Sequence, residues 1–390
     1  MHCEMSRRKF ISSVGAASAG WWLARPSPGF AKTVPTAPVA VAKCKTYGTE
    51  LLPTLARMFD QLGGMERLVK GKTVAIKLNL TGGPTQRLGY IPLGNSYWVH
   101  PNVVGATIHL LGRAGARRIR LLESPWSTAE PLEEFMLQAN WEPRDFLSAA
   151  AAVEFENTNF LGRAKRYSRF CVPGGGHMYN AYDLNHSYED CDVFVSLAKL
   201  KEHVTAGVTL SMKNCFGITP CTIYGEHAGD DEPSRVPRGG RRMFHDGFRQ
   251  PSKSAVPEND PRSPREGGYR VPRIVADLVA ARPVHLAVID GIESMSGGEG
   301  PWIRDRAYVR PGVLIAGTNC VTTDAVGTAV MGFDPMADRG TPPFEGRDST
   351  LRLAEEHGVG TRDLRRIEVV GTPIGEARFD FRSHRTAQPS

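Results

Sequence analysis

The sequence predicts an α/β protein, a mainly parallel sheet with helices on both faces, in a strand order that the sequence leaves open. Two observations carry this expectation. Short runs such as Val193-Phe194-Val195 and Val313-Leu314-Ile315 are apolar at successive positions, as strands covered on both faces are. Between such runs lie segments with apolar residues at helical spacing, and that alternation implies crossover helices packed over parallel strands.

Taken in order, the first strand is expected at residues 39–43. A helix follows at 51–62, where Leu51, Leu55, Met58, Phe59 and Leu62 share one face. Residues 73–80 read as the next strand, closed by a Gly-Gly-Pro loop; Asn102 opens a helix running through Leu111, and 118–122 returns to strand. Further strands are expected at 193–197, 284–289, 313–316 and 367–370, with helices near 274–281 and 323–331. Polar residues stand just beyond several strands: Asn79 and Thr81, Glu123 and Ser124, Lys199 to His203, and Asp290. Carboxyl ends of parallel strands share one edge, where ligands of open sheets bind, so these residues are expected to meet.

The stretch Asp192 to Gly217 holds the densest chemistry. Lys199, Lys201 and His203 follow a buried strand at a spacing of two, which puts three potential cations on one side of an extended chain. This array suits an anionic substrate or cofactor. Proton transfer would fall to His203, Glu123 or Asp290. Beyond it, Val204, Val208, Met212 and Phe216 repeat every four residues and predict a helix closed by Gly217, although Val208, Leu210 and Met212 also alternate as a strand would. A helix would set Lys213 and Asn214 about 15 Å along its axis from His203. Gly297-Gly298-Glu299-Gly300 follows Asp290 and offers backbone amides to an anion, or is simply a turn. Asp324 stands where a carboxylate caps a helix.

The segment Ala198-Lys199-Leu200-Lys201-Glu202-His203 with Lys213-Asn214-Cys215-Phe216-Gly217 resembles the signature of the DUF362 family, which has K-x-K-x-H followed by K-N-x-F-G. Thr73 to Leu80, ending in K-x-N, His100 to Val104 and Gly115 to Pro125 resemble the family's amino-terminal half, and Val288 to Pro301 with Val313 to Pro335 its carboxyl-terminal half. The resemblance spans most of 39–370. It implies a shared pocket, to which Asn79, Lys199, Lys201, Lys213 and Asn214 are assigned as holders of a substrate or cofactor anion; it implies no reaction. The family usually shows an acidic-Gly-x-Gly-Pro pattern, whereas this chain reads Ser296 to Pro301, which weakens any role carried over to Glu299.

Around this domain, assigned to 39–375 as one unit or two lobes, stand three other segments. Ser6-Arg7-Arg8-Lys9-Phe10 precedes a mildly apolar stretch and a small-x-small site at Gly29 to Ala31, so 1–31 reads as a twin-arginine signal peptide. Residues 225–270 form a long polar insertion, a lid, a binding segment or a disordered loop; Met243-Phe244-His245 resembles a short element of the family, which implies that His227, His245 and Asp246 fold over the cluster of Lys199, Lys201 and His203. Residues 376–390 are a tail.

The formal charge of +7 is mild for 390 residues, and no basic run has interleaved aromatics, so nucleic acid is not expected as a partner. The expected partners are the twin-arginine translocase and a small anionic ligand; no stable membrane span is expected after processing, and the periplasm is the expected location. Seven cysteines include no C-x-x-C, which argues against an iron-sulfur centre or zinc ribbon held by this chain alone. Cys215 and Cys221 read as packing or disulfide residues. The sequence names no cofactor; a metal held by His203, His245 and a carboxylate stays open. Two readings survive, an enzyme or redox protein with a Lys/His cleft and a non-catalytic ligand-binding or cofactor-maturation protein. Replacing Arg7 and Arg8 together with lysine should hold the precursor in the cytoplasm; fractionation showing undiminished export would overturn the signal assignment.

Overall fold

The computed structural model describes residues 34–126, 128–226, 228, 237, 239–251 and 254–384. The twin-arginine segment, His227 and the end of the tail lie outside the described residues. Eight strands form one sheet in the order Val369–Gly371, Val39–Lys43, Val313–Gly317, Leu286–Gly291, Val193–Lys199, Thr73–Lys77, Arg118–Glu123 and Val153–Asn157. All neighbours pair parallel except Val313–Gly317, which runs antiparallel to the strands on each side. The sheet is therefore mixed but mainly parallel. The edge strand Val153–Asn157 went unread in the sequence because its alternating charges, Glu154 and Glu156, hide it among polar loops.

Strand alternation sorts the core into two layers. Val41, Ala75, Phe194, Ala198, Ile289 and Ile315 point to one face, where they meet the helices Gly267–Ala281 and Cys320–Val330. Ala40, Ile76, Val195, Leu197, Val288 and Leu314 point to the other, under Leu51–Gln61 and Pro101–Arg113. Each strand is thus apolar on both sides, the pattern expected of a doubly covered sheet. Among the described residues, no helix is long and apolar enough to cross a membrane.

The helix expected over 204–216 does not form as such. The chain instead makes a hairpin, Glu202–His203 against Gly207–Val208, and only then a short helix, Leu210–Asn214, continued by a 3-10 turn, Cys215–Ile218. Gly207 sets the break: its φ of +78° favours glycine, and the Phe344 ring lies 2.6 Å from where a Cβ would stand. The four-residue repeat was real, but tertiary packing divided it between a hairpin and one helical turn. This division decides the site, because it folds Lys213 back toward His203.

Candidate functional site

Three lysines at the strand ends are structural. The Lys77 ammonium, 1% exposed, meets Glu123 Oε1 at 2.6 Å and donates to the Leu78 carbonyl and to Asn214 Oδ1. Glu123 Oε2 accepts the Leu80 N–H. Across the sheet, Lys199 Nζ donates to Asp290 Oδ2 at 2.8 Å, to the Gly94 carbonyl and to the Tyr47 hydroxyl. Asp290 also accepts the His100 N–H and the Tyr47 hydroxyl, whose ring stacks on His100 at 3.6 Å. Lys201 Nζ donates to the Tyr97 and Glu299 carbonyls and to Thr81 Oγ1. Burial pulls all three lysines below the usual amine range, against the carboxylates that support them. Each nevertheless has three acceptors for three donors.

A cleft of about 400 Å³ opens at the carboxyl ends of the strands. Asn79, Glu123, His203, Lys213, Asn214, Arg241, His245 and Glu299 line it, with the rings of Trp126 and Trp302, each 43% exposed. Lys213 is the unusual member. Its Nζ lies 4.3 Å from the centre of the Phe216 ring and has no hydrogen bond or ion pair among the described residues. Burial and the Arg241 and Lys77 charges bring its pKa to about 7, with Glu299 and Glu123 pulling the other way. Asp324 anchors the helix that carries it, accepting the Ser211 and Met212 N–H groups from across the core; its carboxylate caps this turn rather than its own helix.

The two histidines present opposite faces. His203 Nδ1 accepts the Thr205 N–H at 3.1 Å, so the proton of its neutral ring sits on Nε2. His245 Nδ1 lies 3.1 Å from the Arg241 carbonyl and donates to it, which leaves Nε2 with a lone pair. Burial, reinforced by Lys213, drives His203 well below the ordinary imidazole range and His245 to about 4. One ring therefore offers a proton and the other accepts one, both uncharged near neutrality.

Arg241 enters from the 225–270 insertion, together with the short helix Arg242–His245, whose Met243 and Phe244 are buried in the core. Its φ of +62° is a left-handed conformation that costs a non-glycine residue roughly 1–3 kcal/mol. Its Nε and Nη2 are spent on the Thr219, Ser124 and Gly217 carbonyls. Its Nη1 has no acceptor among the described residues, and no carboxylate there pairs with the group.

Of the residues expected to share one cleft, the structure brings together Asn79, Glu123, His203, Lys213 and Asn214. It does not bring Lys199, Lys201 or Asp290. These three do not line the cleft, and the reading of Lys199 and Lys201 as anion donors is corrected: strand alternation turns Lys199 to the Tyr47 face, and protein acceptors saturate both ammonium groups. Asn79 and Asn214 are wall residues with bonded side chains, Asn79 Oδ1 accepting the Lys199 N–H and Asn214 Nδ2 bridging Lys77, Ser196 and Leu197. The Gly297 amide is turned to Glu202 and offers nothing to an anion. Asp246 pairs with Arg242 away from the cleft. Cys215 and Cys221 are buried thiols, and burial raises Cys215 to about 12, which fits packing. Sequence reading missed Lys77, Arg241 and both tryptophans as cleft residues. The K-x-N ending of the Lys77 strand was a signal; a single arginine in a polar insertion was not.

Among the described residues, the three side chains close enough to hold a metal together are His177, Asp277 and His357, away from the cleft. Asp277 is already engaged there by the His177, Met178 and Tyr179 N–H groups, the Tyr182 hydroxyl and His357 Nε2. It reads as the clamp of a loop onto the helix Gly267–Ala281.

Fold and site together define an α/β domain with a ligand cleft at the carboxyl ends of its parallel strands, the place such sheets use for binding. The chain belongs to the DUF362 family, a domain of unknown function, whose match covers residues 74–329. It is also similar to a thylakoid-associated protein of Synechocystis sp., with 24% identity over 302 residues, 76% of this chain and 75% of the relative.

Removing one partner of a buried ion pair strands the other, at about 3–5 kcal/mol. Lys199→Ala should therefore lower stability by about that amount in chemical denaturation, whereas Lys213→Met should cost less than about 1 kcal/mol because no partner is abandoned. Equal losses from the two would show that Lys213 is also structural. Gly217→Ala should destabilise comparably to Lys199→Ala, since its Cβ would stand 2.7 Å from Lys77 Nζ and 3.0 Å from Glu123 Oε1; near-wild-type stability would mean that the buried pair shifts freely.

Proposed function

We propose that the protein is an exported enzyme that binds a small organic anion in this cleft and transfers a proton to or from it, with Lys213 and Arg241 holding negative charge and His203 and His245 as acid and base. One observation carries the reading: the Lys213 amine stands in a largely buried cleft without a partner among the described residues, beside a guanidinium that also lacks a carboxylate. Glu123 is committed to Lys77, and the two oxygens of Glu299 accept the Trp302 indole and Val204 N–H groups. Without a ligand, burial in the first place, and the Arg241 and Lys77 charges after it, bring the pKa of the Lys213 amine to about 7. An anion supplies the missing charge and restores the ammonium.

Two pH dependences follow. The folded pKa of about 7 lies below the unfolded value near 10.5, so the unfolded chain holds more protons between them, and the ligand-free protein gains stability as pH rises through that window. Anion affinity runs the other way: it is full below about pH 7 and falls about tenfold per unit above it. Calorimetric titration with sulfate and with acetate, from about pH 6 to about pH 9, should show this decline in the wild type and weak, flat binding in Lys213→Met. Failure of both anions to bind, or a wild-type affinity that does not respond to pH, would overturn the proposal.

A further inference from the structure

We propose that Lys213 is an amine nucleophile, and that the cleft takes a 2-oxo acid, seating its carboxylate on Arg241 and presenting its keto carbon to Lys213 Nζ. This rests on the anion-binding reading above and adds a substrate class and a covalent step to it.

The contrast among the lysines is the first ground. Lys77, Lys199 and Lys201 each have three protein acceptors around the nitrogen, which leaves it no open side for a guest. Among the described residues Lys213 has no such acceptor, only the face of Phe216, and it lines the cleft. An amine that attacks carbon needs its lone pair free and room in front of it. Its pKa of about 7 in the ligand-free cleft, set by burial and neighbouring cations, makes its proton easy to remove; a bound carboxylate raises that value, so a base must take the proton before attack.

Arg241 is the second ground. Three carbonyls fix two of its nitrogens, while Nη1 has no acceptor among the described residues. A guanidinium held through two nitrogens, with the third left over, can give a carboxylate a charge-assisted hydrogen bond. The third ground is the pair of neutral imidazoles, because carbinolamine formation requires one proton to be given and one to be taken. The half-exposed Trp126 and Trp302 rings at the cleft wall leave an apolar surface for the organic remainder of the acid.

The step balances without a further reagent. His245 Nε2 takes one proton from the Lys213 ammonium, and the freed nitrogen lone pair forms a bond to the keto carbon as the carbon–oxygen π pair moves to oxygen, which accepts a hydrogen bond from His203 Nε2–H. His245 gives its proton to that oxygen, takes a second proton from the nitrogen and passes it to the hydroxyl, which leaves as water. The nitrogen lone pair then completes an iminium whose positive charge faces the bound carboxylate, and both imidazoles end as they began. No oxidant or reductant is consumed.

The full chain, incubated with pyruvate, 2-oxoglutarate or phenylpyruvate and cyanoborohydride, should gain on Lys213 the mass of the acid less one oxygen atom, because hydride reduces the iminium to a secondary amine. Peptide mass spectrometry should find Lys213 modified at least about tenfold faster than surface lysines. Lys213→Arg should bind sulfate yet form no adduct in the cleft. Sulfate and acetate binding without a Lys213 adduct from any of the three acids would overturn the amine chemistry and leave the anion site standing. Labelling spread evenly over surface lysines would overturn it equally. Absence of sulfate and acetate binding would remove the cleft itself as an anion site.

Discussion

An ammonium group taken out of water must regain three hydrogen bonds and a counter-charge, and the edge of this sheet is arranged around that demand. Coulomb attraction alone does not favour such burial, since desolvation costs several kcal/mol per ion. The pairs persist because further oxygens complete each shell. Lys77 with Glu123 ties two neighbouring parallel strands on one side, and Lys199 with Asp290 ties the next two on the other. The loops that leave these strands are thereby held where they end. What remains after the three saturated lysines is the amine of Lys213, and the cleft forms around it.

The supports of that amine come from distant parts of the chain. Asp324, in the helix Cys320–Val330, holds the turn that bears Lys213, and Asn214 in the same turn clasps both Lys77 and the strand that ends in Lys199. Gly217, at the end of the turn, lets the backbone pass against the Lys77–Glu123 pair. The same short segment thus completes a structural ion pair and presents an amine with no partner among the described residues. On its sheet side the site rests on these bonds, and its insertion side contributes Arg241 and His245 through a segment whose Met243 and Phe244 are buried in the core.

Burial explains why the two histidines stay neutral. The Lys213 charge adds to it by raising the cost of a further cation nearby, so imidazole protons are lost at pH values where exposed rings would keep them. Neutral rings of opposite polarity are useful in proton transfer because each can act without first changing its charge state. The hydrogen bonds to Thr205 and to the Arg241 carbonyl assign those polarities.

The fold class, most of the strands and the family were legible in the sequence, because burial on both faces leaves unbroken apolar runs and because Lys199 to Gly217 carries a dense motif. His203, Glu123 and Asn79 were legible as residues near a strand edge, whereas Lys213 and Asn214 came only with the family motif, because a helix over 204–216 would set them about 15 Å from His203. The sequence did not show which lysines are saturated, since that depends on carbonyls from Gly94, Tyr97 and Glu299, far away in the chain. Nor did it place Arg241 opposite Lys213, because an arginine in a polar insertion has no periodicity to mark where it folds. Local pattern determined what the strands and helices are; tertiary structure alone decided which cations are neutralised, because counter-charge and hydrogen-bond acceptors are supplied through space rather than along the chain.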